Sequence, residues 1–536
     1  MSTTTSFRAL LRRERTAFRT RGRLLALATA ALVTVLLGLL AGYAGRGGCS
    51  DPNGPVTCPV DPVGPDGRTV SDQMYFAHHA LGTHGSLTVR LTGMTGIITY
   101  PPPNHDEIVT GVVPWAKVGI MVKDGTRRGS TYAALALTGH HGVHFQDDYA
   151  HDVAGRAGGA SATAPRWLRL TRAGDTITGY ESLDGSRWTT VGTATLPHLP
   201  ATARAGLFAT SPGDLTLVRV GLGGSTGQER FTQASGTFDH VTLTGTAAVP
   251  TAWTGTALGE HGTTDWEKYH RPEGLTATAT AYTVTGTGDV GPLGHEPAHP
   301  IEETLVGLPI ALLILIPLAA RFAPRRTRAG TTAGSTPDRR AGTGPAGDRG
   351  TPAVVERTGV RGLLARAAVV GSAGFGSGLV AAVVAVPAGV ASWRVDGGGV
   401  LATPAASYLR VVVGAALLAG LAAVLAFGLA ALFRRAWAAV LVGIAALVLP
   451  YLVTSVPLLP DALANWLVGV TPAAGFAVLQ TRLSYPQVLA HYATSNGYLP
   501  LPWWGGLLVL AAWTAAALAL AARTHRTGSP APVGWR

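Results

Sequence analysis

The chain has 536 residues, 47% of them apolar and only 13% charged, with a formal net charge of +12. A soluble globular chain carries about a quarter charged residues, so a wholly water-exposed protein does not fit. A basic balance suits nucleic acid only if the charge gathers on one surface, and its placement along this chain follows another rule.

Residues 1–23 hold seven arginines and one glutamate. Within them, FRALLRRERTAF (7–18) sets Phe7, Leu10, Leu11 and Phe18 along one stripe. That suits an interfacial helix with arginines on lipid phosphates, or a plain positive flank. Residues 24–42 carry no charge and are long enough to span a bilayer. The basic leader is long and no A-x-A site follows, so this is read as an anchor, not a cleaved signal. A Cys/Pro/Gly-rich spacer, 43–64, contains the only two cysteines, Cys49 and Cys58. Outside the cell they would close a short disulfide loop or remain free thiols.

Strand signals then recur over 65–246. In PWAKVGIMVKDGT (114–126), Ala116, Val118, Ile120 and Val122 alternate with Lys117, Met121 and Lys123 before an Asp-Gly turn. GSLTVRLTGM (85–94), YAALALTG (132–139), ARAGLFATS (203–211) and TFDHVTLTG (237–245) read the same way. RWLRLTRAGDTITGYESLDGSRWTTVG (166–192) reads as three strands with turns at 173–175 and 184–185. The expectation is an extracellular antiparallel β-sandwich, one face filling its core and the other meeting solvent or ligand. Residues 247–302, with YTVTGTGDVGP, either complete a β-layer or form a stalk.

Trp115, Trp167 and Trp188 are the residues in this region suited to stacking a sugar ring, although packing is the plainer role for tryptophan. His140, His141 and His144 lie near Asp147 and Asp148, and such groups bind zinc. The spacing is not that of a zinc hydrolase, a polar strand-edge loop explains it as well, and no metal or cofactor is expected. Fourteen of the sixteen histidines fall within 43–302, where external acid would add charge. Glu302 and Glu303 are expected at the outer membrane edge, where carboxylates need no partner.

Five further apolar runs follow, at 304–323, 367–391, 409–432, 436–456 and 505–523. The last four fall within 361–526, expected to form one helical membrane domain of spans three to six. Residues 324–360 read as a flexible basic linker, Arg434-Arg435 as a very short turn, and 527–536 as a tail. With six crossings every arginine cluster lands on one side, so both termini are cytoplasmic and 43–302 is extracellular. The charge marks topology in a plasma membrane; lipid is a partner and nucleic acid is not. Residues 457–506 form a long external segment rich in Pro, Trp and Tyr, part of it expected along the outer surface, with Trp503-Trp504 opening the last span.

PWAKVGIMVKDG followed by APRWLRLTRAGDTITGYESLDGSRWTTVG resembles the concanavalin-like, LamG-type jelly rolls of bacterial surface proteins, whose relatives include carbohydrate binders. That resemblance implies cell-envelope glycan as a ligand. ASYLRVVVGAALL, ALFRRAWAAVLVGIAALVLPYL, VTPAAGFAV (470–478) and NGYLPLPWWGGLLVLAAWTAAALALA resemble permease subunits of type-2 ABC transporters from high-GC Gram-positive bacteria. This implies an exporter needing a separate ATPase subunit and a second permease half, its own copy. Arg12, Arg13, Arg15, Arg361, Arg434 and Arg435 would then be the ATPase-coupling residues. The low-complexity linker departs from the compact basic elbow such permeases carry between spans two and three.

No G-x-x-x-x-G-K-[ST] loop occurs, and GLGGSTG (221–227) lacks the lysine, so the chain is expected to be non-catalytic. Scarce ionisable residues in the spans argue against an ion-driven carrier and suit an amphiphilic substrate. The alternative reading is a membrane-anchored surface binding or sensor protein, for which six spans are excessive. A membrane enzyme would need an acid pair in a groove, and no nucleophile–base–orienter pattern stands out.

Overall fold

The computed structural model describes residues 6–44, 49–51, 54–56, 61–100, 107–197, 199–245, 252–259, 274–293, 299–323, 359–395, 399–433 and 435–527. Most of the 324–360 linker, the 528–536 tail, Cys58 and Arg434 lie outside the described residues, and so does the expected disulfide.

Among the described residues six helices are long and apolar enough to cross a membrane: Arg21–Ala41, Ile301–Arg321, Val360–Arg394, Ala405–Leu432, Ala436–Thr454 and Trp503–Thr524. The chain is a multi-pass membrane protein with an extracellular β-sheet region between its first two spans. The third helix, Val360–Val395, starts before the apolar run does. Its 36 residues reach about 54 Å, well beyond a hydrocarbon core of about 30 Å, so its ends project. In the fifth span a π-turn, Ile444–Val448, precedes Pro450. Proline lacks the N–H and crowds the carbonyl four residues back, and the widened turn absorbs both defects. The expected helical hairpin of spans four and five is present, Leu432 and Ala436 being joined by three residues.

The N-terminal helix Phe7–Phe18 is not a loose flank. Phe18 is buried edge-on to Phe322 at 5.2 Å, at the end of span two. Glu14 is buried with its carboxylate 3.0 Å from Arg366 Nε on span three. The helix is thereby fixed to the cytoplasmic ends of two spans, with Phe7 left exposed.

Outside, two antiparallel sheets stack. One runs, in spatial order, His151–Ala154, Val143–Asp147, Tyr132–Thr138, Lys117–Lys123, Ala203–Thr210, Met74–Leu81 and Thr254–Leu258. The other runs Thr189–Thr195, Thr176–Ser182, Arg166–Ala173, His84–Thr99, Thr232–Thr244, Ala281–Gly286 and Gly274–Ala277, with Ile108–Thr110 added along His84–Thr99. Strands from beyond residue 246 therefore sit in both sheets. Val118, Ile120, Val122, Leu135 and Leu207 from one sheet meet Leu87, Val89, Leu91, Leu168 and Leu170 from the other. The turns at Gly174 and Gly185 have positive φ, as tight strand reversals require.

One face departs from expectation. Lys117, Met121 and Lys123 do not meet solvent; chain 70–74 and 287–292 covers them, and Met121 packs with Val70, Phe76, Tyr132, Tyr149 and Val290. Lys123 and Asp72 are both fully buried. Lys123 Nζ donates to Asp72 Oδ2 (2.9 Å), Ser130 O (3.0 Å) and the Tyr149 hydroxyl (2.9 Å), using all three of its protons. Burial pulls the Lys123 ammonium below its usual range and the Asp72 carboxylate opposes this; burial beside the same carboxylate pushes the Tyr149 phenol up. Lys117 is held by Asp289 (2.9 Å) and Val290 O (2.5 Å). A third layer makes these lysines structural.

Candidate functional site

The external segment after span five does not lie flat along the surface. Asp461–Val470 is a helix, and Pro472–Leu479 follows it as a 3-10 helix bent by 98°. Trp513, midway along the last span, donates from Nε1 to Val470 O at 2.9 Å, so the first helix descends from the outer face into the membrane. The 3-10 helix is buried throughout and leads the chain back to the outer side.

Irregular backbone at membrane depth must have its polar groups satisfied by protein. Two charged residues do this. Arg410, near the start of span four, donates to Val478 O (2.9 Å) and Gln480 O (2.8 Å). Glu302, at the head of span two, accepts from Thr481 N (2.8 Å) and Thr481 Oγ1 (2.5 Å). Glu303 accepts from Arg482 and lies 2.7 Å from His299 Nδ1, whose ring stacks on Trp393 at 4.8 Å. The expectation that Glu302 and Glu303 need no partner is thus corrected: the re-entrant loop supplies donors that both carboxylates accept.

Above this loop lies a cavity of about 740 Å³. Its floor is Phe476 stacked on Tyr451 at 4.0 Å. Ala41, Val306 and Pro309 of spans one and two wall it, with Leu479 and Leu489 of the loop. Its roof is a β-hairpin, Asp214–Val220 with Gly224–Arg230, that leaves the sandwich and contributes Leu215, Thr226 and Glu229. The hairpin is pinned by Ser225, whose hydroxyl donates to Asp461 Oδ2 (3.2 Å) and lies 3.2 Å from His491 Nε2. Asp461 Oδ2 is also 2.9 Å from His491 Nε2. A nucleophile relay needs the carboxylate on one ring nitrogen and the hydroxyl on the other. Here both meet Nε2, and Nδ1 is buried without a partner among the described residues, so the trio is a latch between sandwich and membrane loop. A second tie runs from Gln487 Nε2 to Ala150 O (3.1 Å) and a third from Ala402 N to Thr69 Oγ1 (2.8 Å).

The residues singled out from sequence lie elsewhere. Trp115 is only 8% exposed and stacked on His141 at 4.1 Å. Trp167 is half-buried and edge-on to His240, and Trp188 carries the Arg169 guanidinium over its ring at 3.8 Å. These two flank the outer face of the second sheet, and Trp167 also has the Arg90 guanidinium 5.9 Å from its ring. His144 Nδ1 lies 2.5 Å from Asp152, and His140 is exposed in the bend after the strand Tyr132–Thr138. Among the described residues no group of three or more His, Cys, Asp or Glu is placed to hold a metal ion. Arg12, Arg13 and Arg15 are exposed on the N-terminal helix, as are Arg361 and Arg435 at the same end of the bundle.

The histidines do not respond to acid as one group. Burial and the nearby Arg204 cation hold His78 down at about 4, whereas the Asp147 carboxylate raises His151. Arg410, His491 and the hairpin were missed from sequence, and Glu302 was placed at the membrane edge without its partner. The available signal was a lone acid pair and a lone arginine bordering apolar runs.

No family model matches the chain, and no curated protein matches it. Among solved structures it is similar to a functionally unknown protein from Saccharomyces cerevisiae, at 17% identity over 33% of this chain and 76% of that one, with a TM-score of 0.20. It is also similar to scytalido-glutamic peptidase with a transition state analog inhibitor (9% identity, 41% of this chain, 99% of that chain, TM-score 0.27). A third is the GH43 BlXynB protein from Bacillus licheniformis (14%, 29% of this chain, 26% of that chain, TM-score 0.18). With scores this low, none carries an argument about this chain.

Proposed function

We propose that the chain is the permease subunit of an ABC-type exporter, working with a separate ATPase and a second copy of itself, and carrying a concanavalin-like domain outside. The observation that supports this most is the cavity: a chamber of about 740 Å³ at the outer ends of the spans, floored by a half-membrane loop and roofed by the extracellular domain. At the opposite end, the N-terminal helix is clamped to spans two and three and presents Arg12, Arg13 and Arg15 outward, where an ATPase would push. Apolar walls with a few charged groups suit an amphiphile leaving the bilayer. The chain itself catalyses nothing on this reading, and the outer sheet face around Trp167 and Trp188 is its surface for envelope glycan.

Affinity purification of the full chain in mild detergent, with mass spectrometry of its partners, tests this. A Walker-motif ATPase in stable stoichiometry is expected, with recovery reduced by Arg12→Glu and Arg15→Glu together. Recovery of no ATPase, with the chain retained on cell-wall glycan, overturns it in favour of a surface binding protein.

A further inference from the structure

GLGGSTG (221–227), the glycine-rich stretch without a phosphate-binding lysine, forms the turn and returning strand of the roof hairpin. Among the described residues the hairpin pairs only with itself, and its middle residues are exposed on both strands. Its tip is seated on the segment that follows span five. Leu222 N donates to Leu458 O at 2.9 Å. A Cβ on Gly224 would lie 2.2 Å from Pro457 O, so a side chain there would lift the tip away. Yet the tip's one side chain, Leu222, is 80% exposed, and Leu217 and Val218 behind it are 51% and 40% exposed.

The height of this tip can be read from the helices. Trp513, which bonds Val470, lies ten residues along the last helix from Trp503, or about 15 Å, half the hydrocarbon thickness. The ten-residue helix Asp461–Val470 covers about the same distance, so its start is level with Trp503 and Trp504, at the outer interface. Leu458 is three residues before that start. Val456 and Leu458 are exposed just before this descent, and Leu463 and Trp466 along it, an apolar surface at the depth of the outer leaflet. Leu222 continues that surface at the headgroup level, and exposed Arg219 stands three residues higher, where lipid phosphates lie.

We infer that the hairpin is a membrane-dipping finger: Leu222 inserts into the outer leaflet beside Leu458 and Leu463, holding the extracellular domain down on the bilayer. The occupant of this apolar tip is lipid rather than a second copy of the chain, because the tip extends a surface that already faces acyl chains. This holds whether or not the chain is an exporter.

The test uses the full chain in vesicles of phosphatidylcholine and phosphatidylglycerol, with photoreactive benzoylphenylalanine placed at position 222 or, as a water-exposed control on the same hairpin, at position 228. Intact-mass measurement after irradiation is expected to show lipid adducts at 222 about tenfold above those at 228. Equal yields at the two positions, or crosslinks joining two copies, overturn the inference. A second measurement is hydrogen exchange of 214–230 in the same vesicles, which Leu222→Asp is expected to accelerate severalfold. Exchange unchanged by that substitution counts against insertion.

Discussion

Gly179 and Gly192 in the sandwich and Gly374 and Gly378 in the membrane bundle are all crowded, but by different things. In the sandwich the Phe145 ring lies over both glycines, and a Cβ on either would come within 2.5 Å of it. In the bundle the intruders are backbone and alanine methyls: a Cβ on Gly374 would lie 2.8 Å from Ala419 O, and one on Gly378 2.8 Å from Ala419 Cβ and 3.1 Å from Ala415 O. Surrounded by water, the sandwich gains most by sealing large rings and branched side chains inside. Surrounded by acyl chains, the helices gain nothing from hiding Leu from lipid, so they use small residues to bring main chains together.

Phe145→Ala should be the most damaging way to break this contrast, costing the sandwich about 3–5 kcal/mol, because two glycines leave nothing to fill the void. Chemical denaturation followed by near-ultraviolet circular dichroism would read it, and a loss below about 1 kcal/mol would show the ring is not the keystone of that layer. Acid is the next lever. His78 is 4% exposed and titrates near 4 in the folded domain against 6.5 in an open chain, so the unfolded state binds the extra proton between those values. Stability from this group is complete above pH 6.5 and declines as pH falls toward 4, by about 2–3 kcal/mol. His78→Gln should flatten the melting temperature over that window; a slope that persists would assign it to other groups. Gly378→Val should cost the bundle about 2 kcal/mol by prising spans three and four apart, while leaving the sandwich transition in place. Detergent-resistant unfolding of the helical part would be compared with that of the extracellular domain; a shift in the latter alone contradicts the picture. The smallest effect is expected for Ser225→Ala, which removes one hydrogen bond from the latch and about 1 kcal/mol of local stability. Hydrogen exchange of residues 224–230 should rise without a change in global melting.

Much of this fold was legible because its two periodicities differ so plainly. Alternation in SLTVRL and the turn at 173–175 placed strands, and uncharged runs flanked by arginines placed spans and topology. What alternation could not reveal was a third layer over Lys117 and Lys123. Two lysines on one face of a strand signal a solvated face unless Asp72, 51 residues before Lys123, is known to return to it. The site was less legible still. Glu302 and Thr481 are 179 residues apart, and their meeting depends on a helix that stops halfway through the membrane. Its Pro, Trp and Tyr content read as surface-lying chain; the break at Thr471-Pro472 was the one local hint. Trp115 read as a candidate for stacking a sugar ring, but stacking on His141 uses the very face a sugar would need.

That half-crossing has a consequence for how the chain is threaded into the bilayer. Asp461–Val470 enters from outside, and Pro472–Leu479 returns the chain to the side it left, so the segment adds no crossing and preserves parity. Had the same residues run on as one straight helix, the next span would have been inserted upside down, carrying Arg523 to the opposite compartment from Arg19, Arg21 and Arg23. The proline after Thr471, with Glu302 and Arg410 holding the returning strand of chain, thus acts on the orientation of the whole C-terminal end as well as on the floor of one cavity.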